Sequence, residues 1–255
     1  MKLFSKIYGS HSQDLIVIHG LFGMSDNWNS LGKRFAENFK VHLIDLRNHG
    51  KSPHSDEFNY QVMSDDVFEY IEDNDVQDPI ILGHSLGGKV AIKIAFANPQ
   101  KISKLIVADI APRRYNTDFF EKLLQTLYAL PLDKFKKREE IDQILSKEYK
   151  DQGMRLFLMK NLYRNENKVF EWRFNIDVLL DKVKNIQEAD FIKGVCDVPT
   201  CFIKGGRSNY ITAEDELTIN NHFSDFSITT IEEAGHWLHA ESPDKFYREV
   251  LNFCF

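Results

Sequence analysis

The sequence predicts an α/β protein: a mostly parallel central sheet flanked by helices, with a helical segment inserted after its middle strands. Three observations carry this. Short apolar runs alternate with helix-like stretches through most of the chain, the rhythm that βαβ units produce. That rhythm stops between about Arg113 and Lys193, where apolar residues recur at helical spacing instead. Finally, "ILGHSLGGKVAIKIAFANPQ" passes from an apolar run, through two glycines framing Ser85, directly into a helical pattern.

Taken in order, Lys2–Tyr8 reads as an antiparallel edge strand, and Leu15–Ile18 as the first parallel strand, ending at "HGLFG". Val41–Ile44 ends at "DLRNHG", Pro79–Leu82 leads to Ser85, and Leu105–Ala108 leads to Asp109. Thr200–Ile203 and Phe226–Ile231 complete the strands. In the interruption, Phe119, Phe120, Leu123, Leu124 and Leu127 share one helical spacing, as do Met154, Phe157 and Leu158, and no strand is expected. Pro112 and "KGVCDVP" bound it. The chain therefore divides into a first core part (1–112), a helical lid insertion (113–193) and a second core part (194–255).

Composition removes several function classes. A net charge of -6 argues against binding a nucleic-acid backbone. The apolar runs are too short to cross a bilayer, and "MKLFSKIYGS" lacks the pattern of a signal peptide. Cys196, Cys201 and Cys254 have neither metal-ligand spacing nor the numbers of a disulfide framework. A cytoplasmic protein without a metal is the expectation.

Ser85 carries the chemistry. A strand–Gly-x-Ser-x-Gly–helix arrangement is a nucleophile elbow: a strained turn that stands the hydroxyl clear at the carboxyl end of the sheet. The following helix aims its first N–H groups and positive dipole end at the reacting oxygen.

"LIVIHGLFG", "LIDLRNHGKSP", "GHSLGGKVA", "ADIAP" and "EEAGHWLHAESP" together resemble the α/β-hydrolases in order and position, over nearly the whole chain. "DIAP" followed by a helical segment carrying "WRFN" is similar, more narrowly, to the YbfF-type bacterial esterases and their mitochondrial relatives. The resemblance implies a serine hydrolase of carboxylic esters or acyl thioesters, working through an acyl-enzyme without a cofactor. Perhydrolase or C–C bond hydrolase chemistry on the same residues, and a non-catalytic binding protein, are the alternatives. The partner is then a small-molecule acyl substrate, and oligomeric state is left open.

A serine hydroxyl needs a base. His236 follows the last strand, in the loop from which this superfamily delivers one; His239 is its local competitor. His19, His49 and His84 shape the rim, whereas His11, His42, His54 and His222 are expected at the surface. The base needs a carboxylate. Where many α/β-hydrolases place it, after the penultimate strand, "FIKGGRSNYIT" puts Ser208 in the slot, and Glu214 and Asp215 come too late. Asp109 breaks out of "LIVA" at the end from which Ser85 emerges and is the expected acid. Asp197 lies at the wrong end of its strand, and Asp45 is expected to brace its own loop, against Arg47. The oxyanion donors should be the Leu86 N–H and, from "HGLFG", that of Leu21, with Phe22 the alternative. Arg113 and Arg114, at the start of the insertion, are candidates for an anionic substrate group, and Arg173 for anchoring the insertion. The basic run Lys134–Glu140 reads as a solvated face.

Overall fold

The computed structural model describes residues 1–255. Its strands are β1 (Ser5–Tyr8), β2 (Asp14–Ile18), β3 (Lys40–Ile44), β4 (Ile80–His84), β5 (Lys104–Ala108), β6 (Leu162–Arg164), β7 (Phe170–Trp172), β8 (Thr200–Gly205) and β9 (Phe226–Ile231). Seven of them form one sheet in the order β1-β3-β2-β4-β5-β8-β9, with β1 antiparallel to β3 and every other pairing parallel. The helices are α1 (Asn29–Phe35), α2 (Tyr60–Asp73), α3 (Leu86–Ala97), α4 (Asp118–Tyr128), α5 (Arg138–Leu145), α6 (Gln152–Met159), α7 (Ile176–Lys182), α8 (Ala213–His222), α9 (Leu238–Glu241) and α10 (Pro243–Cys254). None is long and apolar enough to cross a membrane.

The period of two in each strand sorts its side chains between the faces. Leu15 and Val17 of β2 join Leu82, Ile106 and Ile203 in a core closed by Phe35 of α1 and Phe246 of α10. Ile16 and Ile18 join Ile81, Val107 and Phe202 in the opposite core, with Val67 of α2, Val90 of α3 and the insertion. Both faces are covered, so β2 and β4 are buried at every position, and Leu15–Ile18 and Ile80–Leu82 within them read as unbroken apolar runs. The chain turns from β2 outward to β3 and then crosses back to β4. That reversal opens a crevice at the carboxyl ends of β2 and β4, where open α/β sheets bind ligands.

Three sequence expectations need correction. The insertion is not purely helical, because β6 and β7 pair as an antiparallel hairpin. Three-residue strands are too short to leave an alternating pattern, and their turn is held by Asn165 Oδ1, which accepts from the Asn167 and Val169 N–H groups. His42 is buried in β3, bonded through Nε2 to Asp14 (2.8 Å) and through Nδ1 to the Tyr70 hydroxyl (2.7 Å). α2 brings Tyr70 over this face of β3, which the apolar pattern around His42 did not reveal. Asp45 does brace its loop, accepting from the Ser25 and Lys51 N–H groups, but Arg47 instead forms a bidentate pair with Asp66.

The insertion is tied to the core at both ends. Lys89, buried on α3, donates through Nζ to the carbonyls of Arg113 (2.5 Å) and Glu188 (2.7 Å), where the chain leaves and rejoins the sheet. The rings of Tyr60, Tyr115 and Phe191 surround its ammonium group. Asn161 Nδ2 donates to the Phe22 carbonyl (2.8 Å), and the Asn175 N–H donates to that of Asn48 (2.9 Å). Arg173 lies over the Tyr163 ring, within the insertion itself.

Candidate active site

Ser85 follows β4 directly and opens α3 with φ 52° and ψ -118°, a left-handed conformation costly for any residue bearing a Cβ. The surroundings over-determine it. The Ser85 N–H donates to the Ala108 carbonyl (3.0 Å), and the glycines around it leave no alternative. A Cβ on Gly87 would strike the carbonyls of Ile18 and His19, and one on Gly83 would strike that of Gly87. Asp109 does the same one strand over: φ is 49°, with its N–H donating to the Ile203 carbonyl (2.9 Å). Two adjacent strands thus each end on a strained polar residue.

These two residues meet His236. His236 Nε2 lies 3.1 Å from Ser85 Oγ, and Nδ1 lies 2.7 Å from Asp109 Oδ2. The Asp109 side chain is fully buried, and its other oxygen accepts from the Gly205 N–H (3.0 Å). Ser208, in the position where an acid is common, donates its hydroxyl to Asp109 Oδ2. Asp215 is elsewhere, capping α8 through the Thr212 N–H and pairing with Arg113 Nε at 2.7 Å. His239 does not reach Ser85; its ring is stacked on Trp28 with centroids 4.1 Å apart.

Four other histidines hold the frame as neutral rings. His84 donates from Nε2 to the His236 carbonyl (2.8 Å), fixing the loop that carries that imidazole; burial holds its pKa well below the usual value. Burial likewise lowers His19 to about 4, His49 to about 3 and His239 to about 3. His19 donates from Nδ1 to the Gly20 carbonyl (2.8 Å) and accepts the Leu46 N–H at Nε2 (3.0 Å). His49 Nε2 accepts the Phe22 N–H (3.2 Å). The Phe22 amide is therefore occupied, whereas the Leu21 N–H makes no hydrogen bond within the protein. The Leu86 N–H opens α3 and has no partner within its own helix.

A cavity of about 410 Å³ brings Ser85 and His236 together with Gly20, Leu21, Phe120 and Met154, so the insertion supplies its apolar wall. A second, wider cavity of about 960 Å³ is lined by His236, Trp237, Arg113, Lys160 and Arg207. Arg114 lines neither; its side chain is exposed and lies 4.0 Å from Asp190. Tyr210 lines both cavities and stacks on His236. Sequence reading missed Tyr210, the His84 anchor and the role of Ser208. Only "SNY" after the penultimate strand hinted at Tyr210 and Ser208, and only as a missing carboxylate, while His84 was placed at the rim without its bond to the His236 loop.

The comparisons agree with this frame. An esterase from a marine microorganism superposes with a TM-score of 0.95 at 39% identity, with 99% of each chain covered. The sn-1-specific diacylglycerol lipase ABHD11 of Mus musculus is 32% identical over 250 residues, covering 94% of this chain and 80% of that one. Esterase YbfF of Escherichia coli is 29% identical over 243 residues, covering 95% and 93%. The pattern of the alpha/beta hydrolase family matches residues 15–249, and the chain belongs to that family.

Proposed function

We propose that this protein hydrolyses carboxylic esters through an acyl-enzyme formed on Ser85. The observation that carries the reading is the relay from Ser85 Oγ through the His236 ring to buried Asp109, with gaps of 3.1 Å and 2.7 Å, at the wall of an apolar cavity. His236 Nε2 takes the hydroxyl proton as Oγ attacks the acyl carbonyl, and Asp109 holds Nδ1–H and stabilises the imidazolium. The N–H groups of Leu86 and Leu21 receive the negative oxygen. The imidazolium then protonates the departing alcohol. Water, deprotonated by His236, attacks the acyl carbonyl and releases the acid. The insertion acts as a lid whose Phe120, Met154 and Phe157 side chains contact the acyl chain. Relatives that carry the names esterase and lipase support the same chemistry.

Oxygen esters are favoured over thioesters of an anionic carrier. Of the three cations on the wider cavity, Arg113 is paired with Asp215 and Arg207 with Glu241, which leaves Lys160 alone to meet a phosphate. The test is a fluorophosphonate reaction followed by a panel of acyl esters and acyl-CoA thioesters. One adduct on the Ser85 peptide, lost in Ser85→Ala, with turnover of short uncharged esters, is expected. Labelling that survives Ser85→Ala would sink the nucleophile assignment, and a preference for CoA thioesters would overturn the substrate class.

A further inference from the structure

Tyr210 lies face to face with His236, ring centroids 3.8 Å apart and planes 16° from parallel. The stack continues: Tyr115 lies against Tyr210 at 5.6 Å and 26°, and the Arg113 guanidinium lies 3.9 Å over the Tyr115 ring. Four flat groups thus form a column from the start of the insertion to the imidazole. Its members are separately fixed. The Tyr115 hydroxyl accepts the Ala111 N–H and donates to the Tyr210 carbonyl, and Arg113 pairs with Asp215. The Tyr210 N–H donates to Ser208 Oγ, whose own proton goes to Asp109. Both hydrogen bonds that hold Tyr210 are therefore made by its backbone, and what its side chain offers His236 is a ring face.

We propose that Tyr210 is a positioning residue for His236, acting through the face of its ring and not through its hydroxyl. The proposal rests on the reading of His236 as the base. The imidazole is anchored at Nδ1 to buried Asp109 and meets at Nε2 only the longer contact to the Ser85 hydroxyl, so rocking about the Nδ1 bond swings Nε2 away from Ser85 Oγ. A flat ring at 3.8 Å restrains the plane. It also favours the charged intermediate, since a cation close over an aromatic face is attracted by the ring quadrupole. His236 is only 17% exposed, so little solvent competes with that attraction. Both effects act on proton transfer, after substrate is bound, and so belong in kcat and not in KM.

Tyr210→Leu, Tyr210→Phe and Tyr115→Phe test this beside His236→Ala, using kcat, KM, the fluorophosphonate rate, the pH profile and the melting temperature. Tyr210→Leu fills the space without a π face. It should lower kcat and the labelling rate about tenfold, with KM within about twofold. The acidic limb of its kcat/KM profile should move to lower pH, because the protonated imidazole has lost a stabilising neighbour. Tyr210→Phe should behave as wild type. Tyr115→Phe keeps every ring but drops the bonds to the Tyr210 carbonyl and from the Ala111 N–H; it should give a smaller loss in the same direction, and it carries the test if the leucine variant fails to fold. Equal losses in Tyr210→Phe and Tyr210→Leu would overturn the proposal in favour of a hydroxyl contact with substrate. Wild-type kcat in Tyr210→Leu, or a change in KM alone, would also overturn it. If His236→Ala remains fully active, the base assignment has failed; if only His236→Ala is inactive, the stack alone has.

Discussion

Ser208 donates its hydroxyl to the same Asp109 oxygen that faces His236 Nδ1. The residue occupying the usual acid position after the penultimate strand thus bonds to the carboxylate we propose as the acid, which emerges from the strand beside it. Asp109→Asn keeps the shape, removes the charge and favours the wrong imidazole tautomer; in a serine protease such a change lowers kcat by about 10⁴. A loss of about 10²–10⁴ is expected here. Steady-state kinetics near neutral pH check it, and a near-normal kcat would remove Asp109 from the relay.

The same relationship predicts a relocation. With Asp109→Asn as background, adding Ser208→Asp places a carboxylate next to the imidazole from the neighbouring strand. The double variant should recover at least about tenfold of the kcat lost, because the charge that stabilises the imidazolium returns. An unimproved double variant, shown to be folded by circular dichroism, would mean that the loop after β8 cannot aim an acid at His236.

His236→Ala and His239→Ala should separate chemistry from packing. Members of a catalytic relay act as a unit, so His236→Ala should lower turnover by several orders of magnitude with little change in melting temperature. His239 is buried between Trp28 and His84, so its loss leaves a cavity and should cost about 1–3 kcal/mol of stability with a small effect on kcat. The reverse pattern would exchange their roles.

Lys89 should leave a signature in stability at alkaline pH. Burial lowers its pKa to about 7 from the ordinary value of 10.5, so between those limits the unfolded chain holds a proton that the folded chain does not. Stability from this group therefore rises with pH across the window, by at most about 1.4 kcal/mol per pH unit. Lys89→Met removes the titration. The difference in unfolding free energy, wild type minus variant, should climb between pH 7 and 10, and a flat difference would contradict the assignment.

Acid should act through the buried histidines. Folding lowers His19 to about 4 and His49 and His239 to about 3, and also lowers His84, while the unfolded rings titrate near 6.5. The stability this contributes is complete above pH 6.5 and lost as pH falls toward 4, because the unfolded state then binds more protons. Denaturant midpoints taken from pH 7 to pH 4.5 should fall steadily. The decline should be shallower in His49→Gln, whose amide can still accept the Phe22 N–H.

Local geometry was legible in the sequence wherever a residue's setting follows from its position on one element. Ser85 between Gly83 and Gly87 reads as a strained turn because a Cβ at either glycine has nowhere to go, and Asp109 stands out because a carboxylate ending "LIVA" needs a partner. The central strands read cleanly because both faces of the sheet are covered. Relations between elements were another matter. Whether His42 faces solvent depends on Tyr70 of α2 packing over its ring and Asp14 of β2 lying beside it, and nothing near His42 records that. Whether Phe22 or Leu21 keeps a free amide depends on His49, brought to it from 27 residues away. Ser208, Tyr210 and His84 take their meaning from Asp109 and His236, which reach them only when β4, β5, β8 and the loop after β9 lie side by side. A hydrogen bond or a ring stack requires two groups within a few ångströms. In a parallel sheet, neighbouring strands are separated in sequence by whole crossover helices, so only the tertiary fold decides which groups meet.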